Sequence, residues 1–224
     1  MTTRKATRLA ILGAGDLGRQ LAHHARATGG FTPTCFYDDT LATDPDAPDA
    51  RRTEVDGLPV VGPLARSTED AHAGRFDAAL LGIGYRHLAA RERLFDELEV
   101  EGLPFATLVH PSCIVDPAAR IGPGSVLYPG CIVDAGVTLE PNVLLNLGCV
   151  VAHDSTIGAH SFLAPGVQLA GCVEVGRRSF LGIGTVVIDH VRLGDDLRTG
   201  GGAVVVADDP GDSLLVGVPA RRVG

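Results

Sequence analysis

Residues 145–163 read LNLGCVVAHDSTIGAHSFL, and an aliphatic residue stands at every sixth position of this stretch. The spacing holds without a break for fifteen positions, from Val109 to Leu193. A second series lies two residues before the aliphatic one. From Cys113 to Val191, each of its positions is Cys, Ala, Ser, Val or Thr. A six-residue period is the signature of a parallel β-helix whose interior is filled by the large aliphatic side chains. The sequence therefore predicts a left-handed parallel β-helix, with three hexapeptides in each triangular coil.

The composition agrees with that prediction and excludes several classes of protein. The 224 residues include 29 Gly and 14 Pro but only 4% aromatics, which suits frequent turns around an aliphatic interior. The net charge of −8 argues against nucleic acid as a partner. No apolar run approaches the roughly 20 residues of a membrane helix, so no membrane partner is expected. Five Cys without a CxxC pair suggest reduced thiols, and hence a cytoplasmic protein.

The residue before each inward aliphatic is expected to point outward, and these residues differ between the three faces. One face carries Ile114, Ile132, Val150, Gln168 and Val186, and another carries Val126, Leu144, Phe162 and Phe180. The remaining face carries Arg120, Thr138, Thr156, Glu174 and Arg192. Large exposed apolar surfaces normally mark interfaces, so two apolar faces on a triangular prism predict a closed homotrimer.

A different pattern precedes the hexapeptides. Strands are predicted at residues 8–12, 34–37 and 78–83, and helices at residues 16–28 and 86–101. Alternating strands and helices indicate a small Rossmann-like α/β domain with a parallel sheet. We therefore expect two domains, a Rossmann-like α/β domain over residues 1–108 and the β-helix with its C-terminal tail over residues 109–224.

The first predicted strand runs into a glycine-rich turn, Gly13-Ala14-Gly15-Asp16-Leu17-Gly18. A GxGxxG turn between a strand and a helix, with Asp38 and Asp39 some twenty residues on, is typical of nucleotide binding. Such turns also occur for packing alone. Asp16 would lie near a bound phosphate, which favours a ligand other than plain NAD.

His153 and Asp154 follow an inward aliphatic, which places them at a corner of the predicted coil. A histidine beside an acid is a natural general base at neutral pH, although a solvated turn residue has the same pattern. The spacings of His153, His160 and His190 indicate unrelated corners, so we predict no metal site.

The cysteines are not predicted to act as nucleophiles. Cys113, Cys131 and Cys149 occupy stacked inward positions and are expected to pack as small hydrophobic residues without disulfides. Cys172 lies one residue out of the small-residue pattern, and Cys35 falls in a predicted strand.

A glycine-rich α/β domain joined to hexapeptides resembles the bacterial nucleotide-sugar N-acetyltransferases, which are grouped with sialic acid O-acetyltransferases among the hexapeptide-repeat acyltransferases. The resemblance is densest in residues 146–154, in Gly200-Gly201-Gly202-Ala203 and in the tail Val216-Gly217-Val218-Pro219-Ala220-Arg221-Arg222. It implies transfer of acetyl from acetyl-CoA to an amino group of a nucleotide-linked sugar, without an acyl-enzyme and without a metal. It also implies a homotrimer with active sites between adjacent subunits.

The resemblance further implies roles for individual residues. His153 is the expected general base, Asp154 the acid that tunes it, and Asn146 a further catalytic residue. The expected substrate-binding residues are Gly13, Gly15, Asp16, Leu17, Asp38, Asp39 and Gly84. The expected acetyl-CoA-binding residues are Phe162, Gly171, Ile183 and Gly201, with the backbone N–H of Gly171 a candidate donor to the thioester oxygen.

Two departures from the family pattern keep other functions open. Phe162 stands where some members have a histidine, and Gly15-Asp16-Leu17-Gly18 replaces a Gly-His-Gly that is common in sugar N-acetyltransferases. A sugar or sialic acid O-acetyltransferase is therefore the alternative. A non-catalytic nucleotide-sugar-binding scaffold and an NAD oxidoreductase are further alternatives, although a solenoid offers the latter no second nucleotide half.

Overall fold

The computed structural model describes residues 6–42 and 54–223, which form two compact units that divide between Ala106 and Thr107. The N-terminal unit is an α/β domain, and the C-terminal unit is a left-handed parallel β-helix, so the predicted fold class is confirmed. Among the helices of the described ranges, none is long and apolar enough to cross a membrane.

The N-terminal unit is built on one five-stranded sheet. Its strands and helices are β1 (Thr7–Leu12), α1 (Asp16–Ala27), β2 (Phe31–Tyr37), α2 (Asp39–Ala42), β3 (Glu54–Val55), β4 (Leu58–Gly62), α3 (Ser67–His72), β5 (Ala78–Leu81) and α4 (Leu88–Val100). The strand order is β3-β4-β2-β1-β5, and all neighbours are parallel except β3 and β4. The sequence did not predict α2, β3, β4 and α3. Pro59 interrupts the apolar run of β4, and the other three elements are short and mostly polar.

The strand order creates a crevice at one edge of the sheet. From β1 the chain passes through α1 to β2 on one side, whereas β5 pairs with β1 on the other side. In such sheets ligands bind outside the carboxyl ends of the strands where the order reverses. The predicted strand over residues 78–83 ends at Leu81, so that Gly82 and Gly84 lie in the loop at this crevice.

The β-helix has three faces made of short strands, numbered in chain order, which are parallel except for the antiparallel pair of β23 and β24. The first face holds β6 (Leu108–Val109), β9 (Val126–Leu127), β12 (Leu144–Leu145), β15 (Phe162–Leu163), β18 (Phe180–Leu181), β21 (Arg198–Thr199), β23 (Leu214–Val216) and β24 (Arg221–Val223). The second face holds β7 (Ile114–Val115), β10 (Ile132–Val133), β13 (Val150–Val151), β16 (Gln168–Leu169), β19 (Val186–Val187) and β22 (Val204–Val205). The third face holds β8 (Arg120–Ile121), β11 (Thr138–Leu139), β14 (Thr156–Ile157), β17 (Glu174–Val175) and β20 (Arg192–Leu193).

From β6 to β22, paired strands are 18 residues apart, as three hexapeptides per coil require. The last coil is shorter, since β21 pairs with β23 at a spacing of 16 residues. The predicted inward aliphatics form the core, fully buried in the middle coils and half-buried at Val109, Val115 and Ile121 in the first coil. The coils also continue past Leu193. The periodicity missed this extension because its next inward residue is polar: Thr199 is 2% exposed, and its Oγ1 lies 2.6 Å from Oγ1 of Thr185.

The expected pair of open apolar faces is wrong for the first face. Its outward residues Val126, Leu144 and Phe162 are only 1%, 0% and 5% exposed. Outward position in a hexapeptide therefore does not mean solvent exposure. The second face remains open, with Ile114 67% exposed and Ile132 39% exposed.

Candidate active site

His153 lies on the edge between the second and third faces, directly after β13 and Ala152. Its Nδ1 is 3.0 Å from Oδ2 of Asp154, and both side chains are more than half exposed. An ionised carboxylate can only accept a hydrogen bond, so Nδ1 of the neutral ring carries the proton. Nε2 then keeps its lone pair, which is the arrangement that a general base requires.

Gly171 lies one coil above His153 on the same edge. A Cβ atom at Gly171 would stand 2.5 Å from Nε2 and 2.6 Å from Cε1 of His153, so any larger residue would collide with the imidazole. Gly171 does not have a positive φ angle. The glycine is therefore needed here for space, not for its backbone conformation.

The backbone N–H of Gly171 has no hydrogen-bond partner among the described residues. Proline occupies the same corner position at Pro123, Pro129, Pro141 and Pro165. Because proline has no N–H, the coils do not need this donor for their own stability. The N–H of Gly171 is therefore available to an external acceptor beside the Nε2 edge of His153.

Other predicted site residues lie on a different edge, between the first and second faces. Ile183 is 62% exposed there, and a Cβ atom at Gly201 would lie 3.0 Å from its Cγ2. Asn146 is on the same edge, where its Oδ1 accepts a hydrogen bond from the N–H of Leu147 at 2.7 Å. Within one chain the structure thus separates Asn146, Ile183 and Gly201 from His153.

Phe162, the remaining residue predicted to bind acetyl-CoA, lies on the first face. Its ring centroid is 6.0 Å from that of Phe180, and Arg198 lies over the Phe180 ring at 4.7 Å. Phe162 is only 5% exposed, so it is not on the open surface that its outward position predicts.

The histidine positions correct one expectation. His153 and His190 are on the same edge rather than on unrelated corners, since their 37-residue spacing is two coils plus one residue. His160 is elsewhere, buried between the third and first faces with its Nδ1 3.0 Å from Nδ2 of Asn142. The three histidines therefore do not converge. Potential metal ligands of mixed type do converge at His153, Asp154 and Cys172, which periodicity did not predict.

In the N-terminal unit, the three glycines of the turn have different structural roles. Gly13 has φ 108° and donates its N–H to the carbonyl of Tyr37 at 2.7 Å. A Cβ atom at Gly18 would lie 1.9 Å from the carbonyl oxygen of Gly13, so Gly18 is required for packing α1 against the turn. Gly15 has open space around the position of a Cβ atom. This matches the division of roles in a nucleotide-binding turn, where the middle glycine admits the phosphate.

Asp38 and Asp39 follow β2, and both carboxylates accept backbone hydrogen bonds. Oδ2 of Asp38 accepts from the N–H of Ala14 at 2.8 Å, and Oδ1 accepts from that of Leu41 at 3.2 Å. Burial raises the pKa of Asp38, but hydrogen bonds from Thr40, Ala14 and Leu41 together outweigh it and lower the pKa. Asp39 accepts from the N–H of Leu64 at 2.8 Å. Asp38 therefore has a structural role, because it holds the glycine turn in place through the N–H of Ala14.

Two arginines at the crevice were not predicted as functional residues. Arg91 of α4 is 1% exposed, and its Nη1 donates to the carbonyls of Leu81 at 2.7 Å and Ile83 at 2.9 Å. These hydrogen bonds fix the loop that contains Gly84. A Cβ atom at Gly84 would meet open space. Arg19 pairs with Asp56 at 2.9 Å and lines a cavity of about 190 Å³ next to Ala14. The sequence did not identify Arg91, because a charged residue in a helix is normally expected to be exposed.

No protein-family profile and no curated protein matches the chain, but solved structures do. The acetyltransferase domain of PglB from Neisseria gonorrhoeae is 28% identical with a TM-score of 0.85, over 97% of this chain and 100% of that one. PerB from Caulobacter crescentus, solved with CoA and GDP-perosamine, is 32% identical with a TM-score of 0.85, over 96% of this chain and 97% of that one. Variants of this GDP-perosamine N-acetyltransferase with one histidine replaced by Ala or Asn have also been solved with CoA and GDP-perosamine. WeeI from Acinetobacter baumannii shares the fold at 24% identity and a TM-score of 0.76, over 97% of this chain and 100% of that one.

Proposed function

Because the chain belongs to the hexapeptide-repeat family of bacterial sugar N-acetyltransferases, we propose that it transfers acetyl from acetyl-CoA to the amino group of a nucleotide-activated amino sugar. The PglB domain has been solved with acetyl-CoA, and PerB with CoA and GDP-perosamine. The observation on which the proposal rests is the grouping of His153, Asp154 and Gly171 on one edge of the β-helix.

The N-terminal unit would bind the nucleotide part of the substrate. Gly15 leaves room for a phosphate group, and no side chain in the described part of the chain caps the N-terminus of α1. Uncapped N–H groups at the start of a helix favour an anionic ligand. Gly13, Asp16, Leu17, Asp38, Asp39 and Gly84 lie in the segments that follow β1, β2 and β5, where such a ligand would be held.

His153 would act as the general base. As the amine nitrogen attacks the thioester carbonyl, Nε2 accepts a proton from that nitrogen, and Asp154 stabilises the resulting imidazolium through Nδ1. The new C–N bond forms and the C–S bond breaks, with CoA leaving as the thiolate. Direct transfer needs no acyl-enzyme, because a thiolate is already a good leaving group.

The backbone N–H of Gly171 would stabilise the negative charge that develops on the thioester oxygen. A preorganised donor of this kind typically contributes about 10²–10³-fold in kcat. Its position next to the Nε2 edge of His153 would bring the base and the oxyanion donor to the same reacting carbon.

A homotrimer would complete the site. His153 and Gly171 lie on one edge, whereas Asn146, Ile183 and Gly201 lie on another, and the exposed apolar second face separates the two edges. Packing copies through that face would bury Ile114 and Ile132 and bring the two kinds of edge together at each subunit boundary. Light scattering tests the trimer, and a monomeric mass would contradict it.

The decisive test is thiol release from acetyl-CoA with a panel of UDP-, dTDP- and GDP-linked amino sugars. We expect release with at least one acceptor, and a loss of about 10²–10⁴-fold in kcat for His153→Ala. His190→Ala, an exposed histidine beside an acid on the same edge, is the matched control and should keep full activity. If no acceptor gives release above the His153→Ala background, the proposal is wrong. Hydroxyl sugars in the panel test the alternative O-acetyl transfer.

A further inference from the structure

The thiol of Cys172 lies beside the proposed base. Cys172 stands 18 residues after Asp154 and therefore occupies the same corner position one coil higher. Its N–H donates to the carbonyl of His153 at 2.9 Å, which fixes the two corners against each other. One ligand atom each of His153, Asp154 and Cys172 lie within 4.8 Å of one another.

Cysteine is unusual at this corner position. Its φ is 58°, in the left-handed region where Gly, Asn and Asp are the common residues. Asp154 and His190 hold the corresponding positions in the coils below and above, also with positive φ angles. The coil therefore turns two potential metal-binding side chains, Asp154 and Cys172, outward in adjacent coils next to the ring of His153.

Imidazole nitrogen, carboxylate oxygen and thiolate sulfur together form a ligand set that suits Zn²⁺. Ligands of a tetrahedral zinc ion, with bonds of about 2.0–2.3 Å, lie about 3.3–3.8 Å from one another. The three ligand atoms lie within 4.8 Å of one another, about 1 Å beyond this range. The side chains of His153 and Asp154 are 57% and 67% exposed, so they can close that gap by rotation. Three protein ligands leave the fourth position to water.

We propose that His153, Asp154 and Cys172 form a binding site for a borderline-soft divalent cation of the Zn²⁺ class, and that the bound ion inhibits the enzyme. Binding releases the thiol proton of Cys172, because the thiolate is the ligand. Inhibition follows whichever ring nitrogen binds the ion: an ion on Nε2 occupies the lone pair of the base, and an ion on Nδ1 leaves the ring proton on Nε2, so that Nε2 cannot accept a proton from the amine. The inhibitory effect depends on the proposed acetyltransferase function, whereas metal binding itself does not.

The experiment uses the reduced, untagged chain of 224 residues and Co²⁺ as a spectroscopic substitute for Zn²⁺. Thiolate coordination gives a near-ultraviolet charge-transfer band, and tetrahedral geometry gives intense visible bands. We expect both in the wild type, and binding weakened at least about tenfold in Cys172→Ala and His153→Ala. His190→Ala should bind Co²⁺ like the wild type, because within residues 6–42 and 54–223 no thiol forms a comparable cluster with the Asp189–His190 pair. Thermal melting of each variant confirms that it is folded.

A second experiment measures acetyl transfer in the presence of Zn²⁺. The acetylated sugar itself is quantified, because Zn²⁺ would interfere with a thiol reagent. Zn²⁺ should inhibit the wild type reversibly, with recovery on adding EDTA, while Cys172→Ala should remain active and require at least about tenfold more Zn²⁺. Absence of the charge-transfer band in the wild type, its persistence in Cys172→Ala, or equal inhibition of both proteins would overturn the proposal. A protein that binds Co²⁺ as expected but transfers no acetyl group would support the metal site and refute the proposed function instead.

Discussion

Replacing Gly171 by Ala is the sharpest test of the catalytic geometry. The new Cβ atom would lie 2.5 Å from Nε2 of His153, whereas ordinary contact requires at least 3.4 Å. The imidazole must therefore retreat by about 1 Å, and a displacement of that size typically costs about 100-fold in rate. We expect kcat to fall about 100-fold, equivalent to about 2.7 kcal/mol in the activation barrier.

The same substitution should not destabilise the protein. Gly171 lies outside the left-handed region, where an alanine is tolerated, and the ring of His153 is 57% exposed and can move into solvent. At such positions Gly→Ala stabilises by about 0.4–1 kcal/mol, because the unfolded chain loses conformational freedom. Thermal melting should therefore show an unchanged or slightly raised Tm alongside the lost activity.

A double-mutant cycle separates the displaced base from other causes. Alanine keeps the backbone N–H at position 171, so the oxyanion donor is still present in Gly171→Ala. On a His153→Ala background, Gly171→Ala should therefore change kcat by less than about twofold, because no ring remains to displace. Wild-type kcat in Gly171→Ala, or an equal loss with and without the His153 side chain, would refute the reasoning.

The remaining predictions concern the base, the glycine turn and the core. Asp154→Asn should lower kcat less than His153→Ala, with unchanged Tm, because the base is kept and only its partner's charge is lost; steady-state kinetics decides. Asp38→Ala should cost about 1–2 kcal/mol at neutral pH, since the N–H of Ala14 loses its acceptor. The pKa of Asp38 is lowered on folding, so its contribution is present above about pH 4 and is lost as pH falls through the folded-state pKa. Melting curves of the wild type and Asp38→Ala should therefore converge in acid, and a constant gap would contradict this. Leu163→Ala, at a fully buried position, should cost about 2–5 kcal/mol in urea unfolding, whereas the outward Thr138→Ala should change stability by no more than about 0.5 kcal/mol.

The β-helix was predictable because its information is local and periodic. Each inward aliphatic is six residues from the next, and the 18-residue pairing of strands follows from that spacing alone. The position of His153 at a corner followed from the same count. The N-terminal strand–turn–helix was predictable for a similar reason, since the spacing of Gly13, Gly15 and Gly18 lies within one short segment.

The tertiary structure decided how residues distant in sequence meet. The counting rule places Gly171 and Cys172 one coil from His153 and Asp154, but only the coordinates show that a Cβ atom at Gly171 would collide with the ring and that the thiol joins the His–Asp pair. Likewise, a hexapeptide position says that Phe162 points outward and cannot say that the side chain is covered. The six-residue period determines whether a side chain points inward or outward. Its burial and its contacts depend on which distant segments of the chain pack against it.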